Sequence, residues 1–246
     1  GVSPQDERMV KILDWLVANR EKCDGTYSVG LRCMVWYTAS KTDPKWLEPL
    51  KKDVDILIKS TVREGQGAGS YGYEVKGDGK SKGDNSNSQY GILGVWAGAL
   101  AGLEIPGEYW AIVLKHWLDT QNPDGGWTYT WSRPEDSRAT MAAAGVASLF
   151  VCFDHLLSEG FLKCNTALEF RPIKRGLGYF DRNFARTIGR GYCNGYYLYG
   201  IERIGLASGY KYFGDTDWYK AGAAQIVRGQ GTDGSWRGGH NQIANT

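Results

Sequence analysis

The chain has 246 residues and a formal net charge of +2, from 29 basic and 27 acidic residues. This near balance argues against nucleic acid or an anionic membrane surface as a partner, because both require a strongly basic face. The five cysteines are widely spaced and odd in number, which argues against a complete disulfide framework.

Amphipathic helices alternate along the chain with helices that are apolar on most sides. The first such pair is predicted over 6–20 and 27–39, and the second over 44–61 and 90–103. Between the members of the second pair lies a connection, 65–83, that contains seven glycines. We call it the glycine-rich loop. Connections of this length in compact domains are often functional or mobile.

The same alternation continues to the C-terminus. The predicted amphipathic and apolar helices are, in order, 106–120, 138–157, 173–186, 192–206 and 216–228, with a further apolar helix starting at 240–246. A repeated pair of this kind indicates stacked units that share one core. The sequence therefore predicts an all-α fold, an α/α toroid of about four and a half helical hairpins. We expect one domain over 1–246, a fragment of a longer protein that stops within a repeat.

Two heptapeptides, Gln121–Trp127 and Gln230–Trp236, share the pattern of a glutamine, a glycine four residues later and a tryptophan two residues after that. The glutamine can bond backbone groups at the start of the next helix, the glycine allows a tight turn, and the tryptophan can pack beneath it. We interpret the motif as a structural clamp between repeats.

These two motifs, preceded by Trp117-Leu118 and Ile226-Val227, resemble the QW repeats of squalene and terpene cyclases, whose toroid the protein prenyltransferase β subunits share. Residues 84–87, 109–127 and 198–203 are similar to segments of large bacterial proteins with prenyltransferase and squalene-oxidase repeats. The resemblance implies an α/α toroid that encloses a central cavity.

The catalytic motifs of those families are not found in this sequence. The position that corresponds to the Asp-x-Asp-Asp proton donor of cyclases reads 134–138, Pro-Glu-Asp-Ser-Arg, which also suits a helix N-cap. Thr26 stands where prenyltransferases have a zinc thiolate, and threonine is not a soft ligand. The histidines His116, His155 and His240 are not at metal-binding spacing. We therefore predict no metal and no cofactor.

What remains is a set of polar and aromatic residues at the starts of the apolar helices, which a toroid would bring together at one mouth, with the glycine-rich loop over it. Asp84 and Asp136 are the acid or base candidates. The candidate ligand-binding residues are Asn85, Asn87, Gln89, Arg138, Tyr192, Tyr196, Glu202 and His240. Capping explains each residue singly. Glu202 and Arg203 stand on an otherwise apolar helix, which predicts a buried ion pair, either structural or in a cavity.

Two hypotheses follow for function. The first is a non-catalytic cyclase-like module that binds a ligand or partner, including the rest of its own longer chain. The second is an enzyme that acts on an isoprenoid or a glycan in the central cavity. The longest apolar runs fall short of the roughly 18 residues of a membrane span, so no spanning helix is expected. The compartment is left open, with export to the cell envelope as one option.

Overall fold

A computed structural model of the chain describes residues 2–131, 136–162, 171–188 and 195–236. These residues form nine α-helices and one two-stranded antiparallel sheet, which confirms the predicted all-α class. The helices are α1 Glu7–Ala18, α2 Thr26–Ser40, α3 Leu47–Ser60, α4 Asn85–Leu100, α5 Gly107–Asp119, α6 Ala139–Leu162, α7 Arg171–Ile188, α8 Gly195–Ser208 and α9 Trp218–Gly229, and the strands are β1 Tyr212–Phe213 and β2 Thr216–Asp217.

The chain divides into two compact units, Gly1–His116 and Trp117–Thr246. In the first unit, α4 packs against α2 and α3. In the second unit, α6 packs against α7 and α8, and α9 packs against α8. Each unit therefore builds its core around one central apolar helix, α4 or α6.

The predicted contrast between amphipathic and apolar helices is visible in burial. In α1, Leu13 alone is buried, whereas thirteen of the sixteen residues of α4 are buried. The contact of α4 with α2 is close because glycines meet there. A Cβ on Gly94 would lie 2.9 Å from Cα of Gly30, and a Cβ on Gly30 would lie 2.2 Å from the carbonyl oxygen of Tyr90.

Some predicted boundaries were wrong. Helix α4 begins at Asn85, five residues before the predicted start, because Asp84 caps it. The last amphipathic helix was predicted to begin at Thr216. In the structure that residue pairs with Phe213 in a hairpin around Gly214, and α9 begins only at Trp218. Gly214 has φ +57°, a conformation that favours glycine.

The first glutamine–tryptophan motif has the predicted turn and buried tryptophan, but its glutamine bonds the start of α7 and not, as predicted, that of the next helix, α6. The side-chain nitrogen of Gln121 donates to the carbonyl oxygens of Gly125 (3.0 Å) and of Pro172 (2.9 Å) at the start of α7. Gly125 adopts φ +90°. The ring of Trp127 is fully buried over Gly145 of α6, where a Cβ would lie 2.5 Å from the indole. The motif thus joins the end of α5 to both following helices.

Helix α6 contains an apolar stretch, Ala139–Leu156, that is long enough to cross a membrane by length and composition alone. Its mean hydropathy is 1.5, and 61% of it is buried inside the protein. Such burial is typical of a core helix, and it agrees with the position of α6 between α7 and α8.

Candidate functional site

Six consecutive polar residues, Asp84–Gln89, lie at the start of α4, and all six are buried. Asp84 has an extended backbone and is the N-cap residue, with its carboxylate accepting from the backbone N–H of Asn87 at 2.9 Å. The same oxygen accepts from the hydroxyl of Ser86 (2.6 Å), and the second oxygen accepts from the amide of Asn87 (2.7 Å). Both carboxylate oxygens are therefore engaged in holding the helix start.

Tyr71 connects the glycine-rich loop to this cluster. Its carbonyl accepts from the backbone N–H of Asp84 (2.9 Å), and its own N–H donates to the hydroxyl of Ser88 (3.0 Å). Its phenol is fully buried, accepts from Thr61 (2.8 Å) and donates to Tyr109 (3.0 Å). Burial raises the pKa of Tyr71 well above its ordinary value. The loop is thus fixed to the α4 start, and a position over a shared mouth stays a prediction.

A histidine from α5 also reaches the cluster. The Nε2 atom of His116 lies 2.8 Å from the amide oxygen of Asn85, and both side chains are buried. With an oxygen facing it, Nε2 is the donor of this bond. His116 therefore orients the Asn85 amide within the first unit.

Two amides of the cluster are incompletely hydrogen-bonded. Gln89 is 1% exposed, and neither its oxygen nor its nitrogen has a hydrogen-bond partner. The amide oxygen of Asn87 is also buried and has no hydrogen-bond partner. Buried polar groups are almost always paired, and an unpaired one costs about 1–3 kcal/mol. These atoms mark the α4 start as the candidate site.

The chemistry of the cluster is that of neutral hydrogen bonding. Its one carboxylate, Asp84, is already engaged, whereas the Gln89 amide offers two donor hydrogens and an acceptor, and Asn87 offers an acceptor. In the described part of the chain, no group of three or more histidine, cysteine or acidic side chains could hold a metal ion. An uncharged ligand with hydroxyl or amide groups would match these unpaired atoms.

The remaining predicted site residues belong to the second unit or lie outside the described residues. Asp136 and Arg138 precede α6 and are exposed, and the backbone N–H of Arg138 donates to the carbonyl of Trp127 (2.9 Å). Tyr196 of α8 is half-buried. Tyr192 and His240 lie outside the described residues. The structure thus brings together Asp84, Asn85, Asn87 and Gln89, and a mouth shared with the other helix starts stays a prediction.

Glu202 and Arg203 were expected to be buried and ion-paired, with the neighbouring layer or in a cavity, and the expected burial of Glu202 was wrong. Glu202 is exposed on α8, and the guanidinium of Arg203 lies 5.8 Å from the ring centroid of Tyr199. A carboxylate in water needs no buried partner, and a cavity role for Glu202 stays a prediction. The fully buried tyrosine of α8 is Tyr197, whose hydroxyl lies 2.7 Å from that of Thr187.

Sequence reasoning missed a buried ionic cluster around Asp53 of α3. This carboxylate is 0% exposed and accepts two bonds from Arg32 (2.7 and 2.9 Å), one from the indole of Trp36 (2.8 Å), and two from Arg20 (2.5 and 3.1 Å). An arginine within the apolar 27–39 segment was the available signal, because a buried charge requires a partner.

A surface cavity of about 450 Å³ lies beside this ionic cluster. Its lining contains equal numbers of acidic and basic side chains, including Lys52, Lys59, Asp24 and Asp55. The charges balance, so the cavity favours neither anions nor cations. We assign the Asp53 cluster a structural role, joining α2 and α3.

Comparison of the chain with protein-family models, curated proteins and solved structures finds no match.

Proposed function

We propose that the chain is a ligand-binding module, a cyclase-like α/α toroid without the catalytic motifs of cyclases or prenyltransferases, and that its ligand binds at the start of α4. The observation that carries this proposal is the Gln89 amide, which is buried and has no hydrogen-bond partner at either atom. Such a costly group calls for an explanation, and a ligand that pairs with the amide supplies one.

Two features support the toroid part of the proposal. Outer-type helices such as α1 bury one side only, whereas α4 is buried on nearly all sides, as two concentric layers require. The motif at Gln121–Trp127 clamps α5 to α6 and α7, as a junction between repeats requires.

The unpaired atoms also favour one class of ligand. Hydroxyl groups donate and accept at once, so a sugar or another polyol can bond the nitrogen of Gln89, its oxygen and the oxygen of Asn87. An isoprenoid chain has no such groups and would leave these atoms unpaired. We therefore favour a glycan or polyol over an isoprenoid.

The enzyme hypothesis has less support. Asp84, one of its two acid or base candidates, has both oxygens engaged with Ser86 and Asn87. Asp136, the other, is exposed just before the start of α6. A binding module requires neither residue to change its protonation state.

The substitution Gln89→Met tests the proposal, because methionine keeps the approximate volume of glutamine and removes both unpaired groups. We expect the ligand-free variant to be more stable than the wild type by about 1–3 kcal/mol in urea unfolding. We also expect it to lose binding on a glycan array and in native mass spectrometry of the purified protein.

Gln5→Met is the matched control, since the same chemical change there falls on an exposed residue. It should change neither stability nor binding. A Gln89→Met variant that is destabilised would show that the amide is paired within the fold. If Gln89→Met is stabilised but the wild-type protein binds no glycan or polyol, the amide contacts only water. That result would refute the proposed ligand-binding function.

A further inference from the structure

The C-terminal motif, Gln230–Trp236, has the same internal hydrogen bonds as Gln121–Trp127, which we call the first motif. The side-chain nitrogen of Gln230 donates to the carbonyl of Gly234 (2.9 Å), as that of Gln121 does to Gly125. Gly234 has φ +81°, close to the +90° of Gly125. The two heptapeptides are therefore the same structural unit.

The tryptophans of the two motifs are also anchored alike. The indole N–H of Trp127 donates to the carbonyl of Trp117 (3.0 Å), and that of Trp236 donates to the carbonyl of Ile226 (2.7 Å). In each case the acceptor lies in the preceding helix, α5 or α9. Each motif thus fixes its indole against the helix that leads into it.

The surroundings of the two motifs are opposite. Trp127 is 0% exposed, whereas Trp236 is 40% exposed. When the two motifs are aligned, Tyr219 corresponds to Trp110. Tyr219 is 69% exposed, whereas Trp110 is 4% exposed. Ile226 corresponds to Trp117, and Ile226 is exposed whereas Trp117 is fully buried. We define the C-terminal face as Tyr219, Ile226, Val227 and Trp236, which are all exposed. Three of these side chains lie on α9 and the indole of the fourth bonds to that helix, so exposed apolar groups are concentrated there, as is typical of an interaction surface.

The first motif shows which elements pack against such a turn and its tryptophan. Helix α7 supplies the Pro172 carbonyl to Gln121, and its Arg175 and Arg182 donate to the carbonyls of Asn122 (2.7 Å) and Asp124 (2.6 Å). Helix α6 supplies Gly145 beneath the indole. The equivalent carbonyls of the C-terminal motif belong to Gly231 and Asp233.

We propose that the C-terminal face is a docking site for a helical hairpin of the α6–α7 kind. One helix of this partner places a glycine beneath Trp236. The other presents a first-turn carbonyl to Gln230 and two arginines, two helical turns apart, to the carbonyls of Gly231 and Asp233. This interaction is separate from ligand binding at α4 and does not depend on it.

A graft tests the proposal in the full chain. A copy of residues 138–188 appended after Thr246 keeps the spacing that separates Trp127 from Arg138. Tryptic peptide 229–237 contains Trp236 as its one tryptophan. We expect the graft to slow oxidation of this indole by about tenfold, as protection by a stable contact does. Trp15, which is exposed and lies in its own peptide, 12–20, should stay as reactive as in the parent.

The matched control is the same graft with Arg175→Ala and Arg182→Ala in the appended copy only, which leaves the original hairpin intact. It should protect Trp236 less. A synthetic peptide of residues 171–188, added to the ungrafted chain, provides a second test that does not require the graft to fold. We expect it to protect Trp236 in proportion to its concentration.

An unchanged oxidation rate with both the graft and the peptide would overturn the proposal. So would protection by the double-alanine graft equal to that by the original sequence, because the arginine contacts would then contribute nothing. A third result would also overturn the proposal. If Trp236 of the ungrafted chain, without added peptide, becomes protected as the protein concentration rises, and sedimentation shows a dimer, the face binds a second copy of this chain.

Discussion

The first unit contains two buried polar clusters, and they differ in how completely they are hydrogen-bonded. Around Asp53, the carboxylate is surrounded by Arg20, Arg32 and Trp36, and each of its oxygens accepts more than one bond. At the start of α4, the amide of Gln89 has no partner. Burial of polar groups is common to both, so burial alone does not indicate a binding site. Unsatisfied hydrogen-bonding capacity distinguishes the α4 cluster, and it is the feature on which we base the ligand proposal.

The largest effect that we expect is from Asp53→Ala. It leaves the guanidinium of Arg32 buried without its carboxylate, and loss of one partner of a buried pair costs about 3–5 kcal/mol. Urea unfolding followed by circular dichroism measures it. Asp55→Ala, two residues along the same helix but exposed, should stay within about 0.5 kcal/mol of wild type. If the two variants lose the same free energy of unfolding, our assignment of a structural role to the Asp53 cluster is wrong.

Asp84→Ala should have an intermediate effect at the other cluster. Loss of an N-cap residue costs about 0.5–2 kcal/mol, and we expect about 2 kcal/mol because Ser86 and Asn87 also lose their acceptor. The comparison is Asp136→Ala, the other acidic candidate, for which we expect a change within about 0.5 kcal/mol since it is exposed. Thermal unfolding of both variants measures this difference, and the reverse order of stabilities would contradict our assignment of Asp84.

Tyr71→Phe should have the smallest effect, about 1 kcal/mol at neutral pH, since it removes the hydroxyl shared with Thr61 and Tyr109. The variant should also change the alkaline limb of the stability curve. The folded-state pKa of Tyr71 is raised above its unfolded value. The unfolded chain therefore loses this proton first, and stability falls as the pH rises past about 10, by up to about 1.4 kcal/mol per pH unit.

Urea unfolding of wild type and Tyr71→Phe between neutral pH and pH 11 measures this contribution as a difference. The buried thiols of Cys33 and Cys152 also have raised pKa values, but they are present in both proteins and cancel. A constant difference between the two proteins over this range would show that Tyr71 titrates normally.

Local pattern predicted much of the fold. The stripe of Leu50, Val54 and Leu57 identified α3, and the motif at 121–127 predicted its own turn. What failed depended on distant contacts. Asparagine and serine are weak helix formers, so the start of α4 at Asn85 depends on the Asp84 cap and its tie to Tyr71. The pairing of Arg32 with Asp53 is invisible to a local pattern, because it joins two helices.

The candidate site was predicted in part, for a similar reason. Polar residues at a helix start identified Asp84, Asn85, Asn87 and Gln89 as a group, but the same pattern describes ordinary capping. Only the hydrogen bonds separate Asp84, which caps, from Gln89, which has no partner. The equivalent pattern before α6 placed Asp136 and Arg138 in the same class, and both are exposed.

The glycines of α4 have a consequence for how the chain folds. Gly91, Gly94 and Gly98 allow close contact with Tyr71, Gly30 and Val54, but each weakens an isolated helix by about 1 kcal/mol relative to alanine. Helix α4 therefore has little tendency to form before α2 is present to pack against it. We expect the first unit to fold in one cooperative step, in which the central helix appears late and the outer helices form around a segment that is still flexible.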